Sequence, residues 1–399
     1  MSVDALDIGP PAGESEVREF ADIVFQSFNG FGKPPSRIDQ WFEHVGVSNL
    51  RLARSGGRVA AGLGLMGFGQ YFGGRSVSSM GITAVAVAPA DRGRGIGAAM
   101  MRRVLLEVAA EGYALSVLYP STWTLYRAAG YEPAGHTISY RFDLKNLGVR
   151  DTRGALRPVA LADADALNTL HAARAGGGAG NVDRTPREWR RLFREFEERV
   201  YAYGVSAEES GPLEGYVILN QSSPPGRGVF ELKLRDFVAA TPTAARRLLG
   251  FFGQHSTMAT HVCYEAGPAS APMMLAREGF AEVVGWSRWM VRVLDAPQAI
   301  AQRGFAPGVR VDASIELHDD LLKRNHGRFT LHVADGHGEL RPGGAGRVRA
   351  DIRGLAPLYT GYLSAEELQT TGLLAGPAEE LAALSAAFAG PAPWMNDRF

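Results

Sequence analysis

The order of patterned segments predicts an α/β (α+β) fold in three parts, with one topology used twice. Three observations carry this. Strand and helix signals alternate through the first third of the chain. The same order of helix, strands, crossover helix, strand, short helix and strand recurs in the second third. The remainder changes to strands of alternating apolar and polar residues followed by helices. A chain of 399 residues accommodates two or three domains of about 150 residues each. The divisions fall near 148 and 294, giving parts 1–148, 149–294 and 295–399.

In the first part, "EVREFADIVFQSFNGF" spaces Val17, Phe20, Ile23, Val24 and Phe28 along one helical face. Residues 49–89 read as consecutive short strands turned at Gly56-Gly57 and Gly73-Gly74, since paired glycines accept the positive φ of tight hairpins. A helix from about Gly97 to Glu111 is stopped by Gly112. "YALSVLYP" is a buried strand, "TWTLYRAAG" a short helix and "YEPAGHTISYRFDL" a closing strand; the polar "NLGVRDTRGALRP" reads as a linker. In the second part "DADALNTLHAARA", "TPREWRRLFREFEE" and "PTAARRLLGFFGQHS" are helical, and "APMMLAREGF" is a short helix. "RVYAYGVSA", "EGYVILNQ", "VFELKLRDFVAA", "HVCYEAG" and "WSRWMVRVL" are its strands. In the third, "VRVDASIELHDD" and "GRFTLHVADGHGELRP" form strands, while "RVRADIRGLAPLYTGY" and "AEELAALSAAFAG" supply helices.

A hydrophobic fraction of 46% with 21% charged residues is that of a globular chain. Lys+Arg and Asp+Glu both number 42, so there is no basic excess to draw it onto nucleic acid or an anionic membrane. No apolar run reaches the roughly 18 residues of a spanning helix, and the first residues lack a basic stretch followed by an apolar one. The expected location is cytoplasmic. The lone Cys263, in "THVCYEAG", suits a reducing compartment and reads as a small buried hydrophobe rather than a catalytic thiol. His332 and His337 stand five apart on a strand and turn, a spacing that reads as exposed side chains, so no metal is expected.

The stretch "VAVAPADRGRGIGAAM" carries the strongest chemical signal. An apolar strand stops at Pro89 and gives way to Arg92, Gly93, Arg94, Gly95, Ile96 and Gly97 where a helix starts. The unpaired N–H groups of a first helical turn attract anions. Glycines let the backbone approach phosphate oxygens, and the arginines add charge and donors. The loop is not GxxxxGK[ST], because no Lys-Ser/Thr follows, and Gly93, Gly95 and Gly97 make GxGxG rather than GxGxxG. What remains is R-x-x-G-x-G after an apolar strand.

This motif resembles the acyl-coenzyme A loop of the GNAT superfamily of N-acetyltransferases, and "TLYRAAGYEPAG" matches that superfamily's Y-x-x-x-G-Y ending. The resemblance implies that the backbone of Val85, Ala86 and Val87, the loop Arg92–Gly97 and Ser121 hold acetyl-coenzyme A (acetyl-CoA). It also implies that the strand from Tyr113 to Leu118 splays away to admit the pantetheine. Tyr126 is then the acid that returns a proton to the thiolate. A phenol near pKa 10 is protonated at neutral pH and so has a proton to give to the thiolate; Tyr119 and Tyr131 are left as packing aromatics.

The layout of two GNAT-like domains and a C-terminal domain like sterol carrier protein resembles the enhanced intracellular survival (Eis) family of aminoglycoside and amine acetyltransferases. The second copy has Pro242 and Thr243 where the loop should be, so coenzyme A is expected only in the first. The family likeness makes the carboxylate of a terminal aromatic, here Phe399, the general base, and it implies a hexamer. Trp394, Pro391 and Pro393 favour an anchored tail. The neighbour of Phe399 is Arg398 rather than an acid, with Asp397 one further back, which weakens the expectation of a polycationic substrate. The substrate wall is expected from "FQSFNGFGKPPSRIDQWFEH": Phe25, Phe28, Trp41 and Phe42 as wall, Asp22, Asp39 or Glu43 for the amine, and "GFGKPP" as a lid-like loop. Two alternatives stay open: an acyl-lipid or coenzyme A binding protein built on the C-terminal domain, and an enzyme for longer acyl chains.

Overall fold

The computed structural model describes residues 6–29, 36–195, 198–223, 228–279 and 281–399. β1 (Asp7–Gly9), α1 (Glu14–Phe28) and α2 (Ser36–Val45) precede β2 (Leu50–Ser55), β3 (Arg58–Phe72) and β4 (Arg75–Val87). Next come α3 (Ile96–Ala110), β5 (Leu115–Leu118), α4 (Trp123–Ala128) and β6 (Glu132–Asp143). The middle of the chain holds β7 (Ala155–Pro158), α5 (Ala164–Gly176), β8 (Val182–Asp183), α6 (Pro186–Phe193), β9 (Val200–Ser206) and β10 (Leu213–Ser222). It continues with β11 (Phe230–Ala239), α7 (Pro242–Gln254), β12 (Ala259–Ala266) and β13 (Glu282–Val293). The last part has α8 (Ala296–Gln302), β14 (Val311–His318), β15 (Gly327–Ala334), β16 (His337–Pro342) and β17 (Val348–Asp351). It closes with α9 (Ile352–Thr360), α10 (Ala365–Thr370), β18 (Leu374–Ala375) and α11 (Ala378–Phe388).

The described residues divide into two compact units: the first from within 1–135, 288–391 and 398–399, the second from within 136–287 and 392–397. In the first, β1 to β4 pair antiparallel in chain order, β5 joins β4 in parallel, and Met290–Val293 of β13 pair with β5. The hairpins turn where the paired glycines predict, with φ of 61° and 79° at Gly56 and Gly57 and of 58° and 84° at Gly73 and Gly74. α3 presses Met100, Met101, Val104, Leu105 and Val108 onto Leu63, Leu65, Met80 and Ile82, all buried. Each such side chain contributes about 1.5–3 kcal/mol. This core fixes where the N-terminus of α3 meets the end of β4.

The same unit carries a second sheet, ordered β16, β15, β14, β17, β18. Val311, Ala313, Ile315 and Leu317 of β14 are buried and alternate with more exposed residues, the pattern the sequence shows. The second unit is a sheet ordered β6, β12, β11, β10, β9, β7, with Leu248, Leu249, Phe251 and Phe252 of α7 buried against it.

Some local expectations fail for identifiable reasons. "RVRAD" is strand β17 rather than helix, because Val348 and Ala350 are buried with Arg349 exposed between them, a period of two. The helix starts only after Asp351, whose side chain accepts from the Arg353 N–H at 2.8 Å. "APMMLAREGF" forms only a 3-10 turn at Ala271–Leu275. The linker after Asn146 ends as β7, paired with β9. No described helix is long and apolar enough to cross a membrane.

Candidate active site

In the first unit β4 and β5 pair only from Ser79 opposite Leu115 to Gly81 opposite Val117. β5 stops at Leu118 while β4 runs on to Val87, so the two strands part and leave a gap. Just beyond the parting, the β3–β4 register slips: Gly62 faces Ala86 and Gly64 faces Thr83, leaving Ala84 and Val85 opposite Leu63 alone. Ala84 sits at φ 50°, a left-handed conformation that disfavours any side chain. A bulge of this kind bends its strand and redirects the backbone groups around it. Val85, Ala86 and Val87, the predicted pantetheine-facing residues, lie on this bent segment.

The loop follows. Pro89–Asp91 makes one 3-10 turn, and Gly93 and Gly95 take φ of 77° and 79°, which accounts for two of the three glycines. Gly97 is explained differently. A Cβ there would fill the space toward Val87 at 3.4 Å and Leu125 at 3.9 Å, between the end of β4 and α4. Gly95 caps α3 without any side-chain hydrogen bond, so the first N–H groups of the helix have no side-chain acceptor from that cap. A bare helix start, glycines that keep it open and two adjacent arginines form a donor set that fits a pyrophosphate.

The arginines are more constrained than the sequence suggests. Arg92 donates through Nε to the Val87 carbonyl at 3.2 Å and through Nη2 to Ser27 Oγ at 3.2 Å. Arg94 reaches Asp91 at 3.2 Å. Asp91 itself is fully buried and held by both terminal nitrogens of Arg58 at 2.6 and 2.8 Å, which keeps its carboxyl below the usual carboxylate range. The Arg58–Asp91 pair pins the loop to the start of β3. It spans 33 residues, and only the "PAD" turn before the glycines hints at it.

Tyr126, on α4, is buried, and burial pushes its phenol upward while a hydrogen bond with Ser121 works against the shift. It therefore stays protonated as a donor at neutral pH. Ser121, expected to hold the coenzyme, has its hydroxyl engaged by Tyr126. Tyr131 packs edge-on against Tyr126 at 6.1 Å and shares a 2.7 Å hydrogen bond with Ser116, a packing role. Phe399 lies beside Phe68 at 5.0 Å and Tyr119 at 5.8 Å. Gly81 must be small for this: a Cβ there would stand 2.9 Å from the Phe399 ring. Phe399 thus occupies the point where β4 and β5 part. Tyr119, read as packing alone, also carries the Arg398 guanidinium at 5.3 Å from its ring.

The expected wall residues separate into groups. Phe42 is core, edge-on to Phe20 at 6.2 Å. Trp41 is half-buried, and a Cβ on Gly64 would stand 3.2 Å from it, which places the indole at the bulge. Phe28 is half-buried, while Phe25, Asp22, Asp39 and Glu43 are exposed. The "GFGKPP" loop lies outside the described residues. Cys263 meets Glu231 at 3.6 Å, and burial pushes its thiol up to about 11, too high for a nucleophile at neutral pH. His332 pairs with Asp312 at 2.7 Å, and His337 bonds the Asp335 carbonyl at 2.9 Å.

The second unit repeats the architecture without the loop. β11 and β12 pair in parallel from Phe230 to Lys233 and then part, and β11 carries one extra residue, Arg235, opposite the Ile218–Leu219 step of β10. Its helix starts differently. Thr241 accepts from the Ala244 N–H at 3.1 Å, and Pro242 removes another donor from the first turn of α7.

Comparison with known proteins agrees with this layout. Residues 10–134 and 180–293 each match an acetyltransferase (GNAT) domain, and 296–396 match a sterol carrier protein domain. The crystal structure of a GCN5-related N-acetyltransferase from Anabaena variabilis is 31% identical, with a TM-score of 0.93 over 99% of this chain and 100% of that one. An uncharacterized N-acetyltransferase of Streptomyces coelicolor is 26% identical over 94% of this chain and 95% of its own. N-acetyltransferase Eis of Mycobacterium tuberculosis is 25% identical over 78% of each chain.

Proposed function

Because the chain belongs to the GCN5-related N-acetyltransferases, as one of Eis type, we propose that it moves an acetyl group from acetyl-CoA to a primary amine by direct transfer in a ternary complex. The observation that carries this is the coincidence, in one unit, of the parted β4–β5 pair, the uncapped start of α3, buried Tyr126 and Phe399 at the parting. Acetyl-CoA supplies the thioester that is broken.

The loop Arg92–Gly97 binds its pyrophosphate through the α3 N–H groups, and the bent backbone at Val85–Val87 orients the thioester carbonyl. The amine nitrogen forms the new C–N bond as the C–S bond breaks. An alkylammonium near pKa 10.4 must first lose a proton, and the Phe399 carboxylate accepts it. Tyr126 then gives its proton to the departing thiolate. The amine class is aminoglycoside-, polyamine- or lysine-type, with Asp22, Phe25, Phe28 and Trp41 at its edge. The assembly is a homo-oligomer, a hexamer by family likeness. Parts 1–148, 149–294 and 295–399 act as catalytic domain, support and bearer of the terminal residue.

The test is thiol release from acetyl-CoA across a panel of these amines, using protein with an untagged C-terminus. Turnover with any of them is the expected result. Silence across the panel with coenzyme A still bound would overturn it, in favour of a longer-acyl enzyme or a binding protein.

A further inference from the structure

The parted strands of the second unit hold something: the chain's own tail. His136 N–H donates to the Pro393 carbonyl at 3.2 Å, the Thr137 hydroxyl donates to the Met395 carbonyl, and Trp394 N–H donates to the Ala179 carbonyl at 2.9 Å. The Trp394 ring lies on Gly267, just past β12, where a Cβ would stand 2.8 Å away. On the other side of the gap, Asn396 Nδ2 donates to the carbonyl of Arg235 at 3.0 Å. Arg235 is the extra residue of β11, the position corresponding to the bulge that, in the first unit, faces the proposed coenzyme site.

Asp397 is the charged contact of this plug. It is 2% exposed, and Arg184 Nε, itself buried, donates to both of its oxygens at 3.0 and 3.1 Å. Arg191 Nη2 adds a third bond at 3.2 Å. Arg184 also binds Asp236 of β11, which accepts from the Tyr216 hydroxyl at 2.6 Å. Arg174 Nη2 lies 3.9 Å from Asp236, so two acids face three arginines here, and removing Asp397 alone leaves more cationic charge uncompensated. Only Arg398 separates this anchor from Phe399, so the backbone leaves it fixed less than about 8 Å from the last Cα.

We propose that the second unit has turned a former cofactor gap into a dock for the C-terminal segment, with Asp397 as the positioning residue that sets where Phe399 lies. The proposal rests on the role given to Phe399 above. It also assigns Asp397 a task other than holding a cationic substrate, since its oxygens are committed to Arg184 and Arg191 inside the protein.

The experiment compares wild type with Asp397→Asn, Asp397→Ala and Asn396→Ala in the full chain with a native last residue, each checked for folding by circular dichroism. Two quantities are read: release of Phe399 by carboxypeptidase A, followed by intact mass, and the kinetics of acetyl transfer. Loss of the lock should raise release at least tenfold, since cleavage follows the population of the freed tail. It should also lower kcat roughly a hundredfold with little change in the KM for acetyl-CoA, the cost of a misplaced group. Asn396→Ala, which removes no charge, should show a smaller effect in the same directions and stands in if the Asp397 variants do not fold. Release and kcat both at wild-type values in folded variants would overturn the proposal. Deleting Phe399 separates the two readings. If that deletion leaves kcat intact, the catalytic role of Phe399 falls, and faster release alone then upholds the lock while unchanged release overturns it.

Discussion

The β4–β5 gap of the first unit and the β11–β12 gap of the second share a parallel pair that parts after three or four residues, one extra residue on the longer strand, and a helix crossing between them. They differ at the start of that helix. α3 begins at a glycine with no side-chain acceptor, while α7 begins at a threonine that caps it and a proline that lacks a donor. The first arrangement leaves backbone donors for an anion; the second satisfies them internally. What fills each gap follows: in the second, Asn396 bonds the extra residue of β11 directly. On the reading proposed above, a cofactor gap is retired by capping one helix and recruiting a neighbouring segment, with the sheet left intact.

The largest effect expected from this contrast is chemical. Tyr126→Phe should lower kcat by roughly 10²-fold or more with little change in acetyl-CoA affinity, as expected for loss of a general acid. Loss of affinity with kcat intact would instead make Tyr126 a binding residue.

The second unit should show its difference in acid. His171 is buried, its Nε2–H donates to the Val182 carbonyl at 2.8 Å, and its Nδ1 accepts from Arg174 at 3.1 Å, so the ring is held neutral. Burial, with Arg184 and Arg174 nearby, pulls it down to about 3. Unfolding restores a value near 6.5, so the unfolded state binds the extra proton as pH falls below 6.5, and stability is lost from there down to about pH 3. Urea unfolding should thus show a loss of about 2 kcal/mol between pH 7.5 and pH 5 that His171→Gln removes. The same acid sensitivity in the variant would assign it to other groups.

Two smaller effects sharpen the comparison of the helix starts. Arg92→Ala combined with Arg94→Ala should raise the KM for acetyl-CoA about tenfold, the scale of one or two charge-assisted bonds. An unchanged KM would mean that these arginines only brace the loop through Val87 and Asp91. Thr241→Ala should cost about 1 kcal/mol of stability and leave acetyl-CoA affinity alone, because a cap is all that Thr241 supplies. A change in affinity would mean that the second gap still serves the coenzyme.

Much of this could be read along the chain because it is local. The paired glycines, the apolar periodicity of α1, α3 and α7, the GxGxG loop and the tyrosine after it each occupy one short window. Two helices outside the sequence reading also left local traces: Ser364 with Glu367 forms the capping box of α10, and Asp295 caps α8. What escaped is what tertiary distance decides. Arg58 and Asp91 meet across 33 residues, and Arg184 and Asp397 across 213. Ala84 adopts a conformation its side chain disfavours, which no propensity would place there. "RVRAD" becomes a strand because β14 offers it a parallel edge, from Ile315 opposite Val348 to His318 opposite Asp351. Asp397, two residues from the end of the sequence, carries no local sign of its role, because its partner Arg184 lies far back along the chain.

Isothermal titration of the full chain with acetyl-CoA, repeated with Gly95→Thr and with Thr241→Ala, tests the contrast between the two gaps most directly. The account predicts one site per chain, lost or severely weakened by the threonine at position 95 and untouched by the alanine at 241. Two sites per chain, or binding that survives at position 95 and fails at 241, would contradict it.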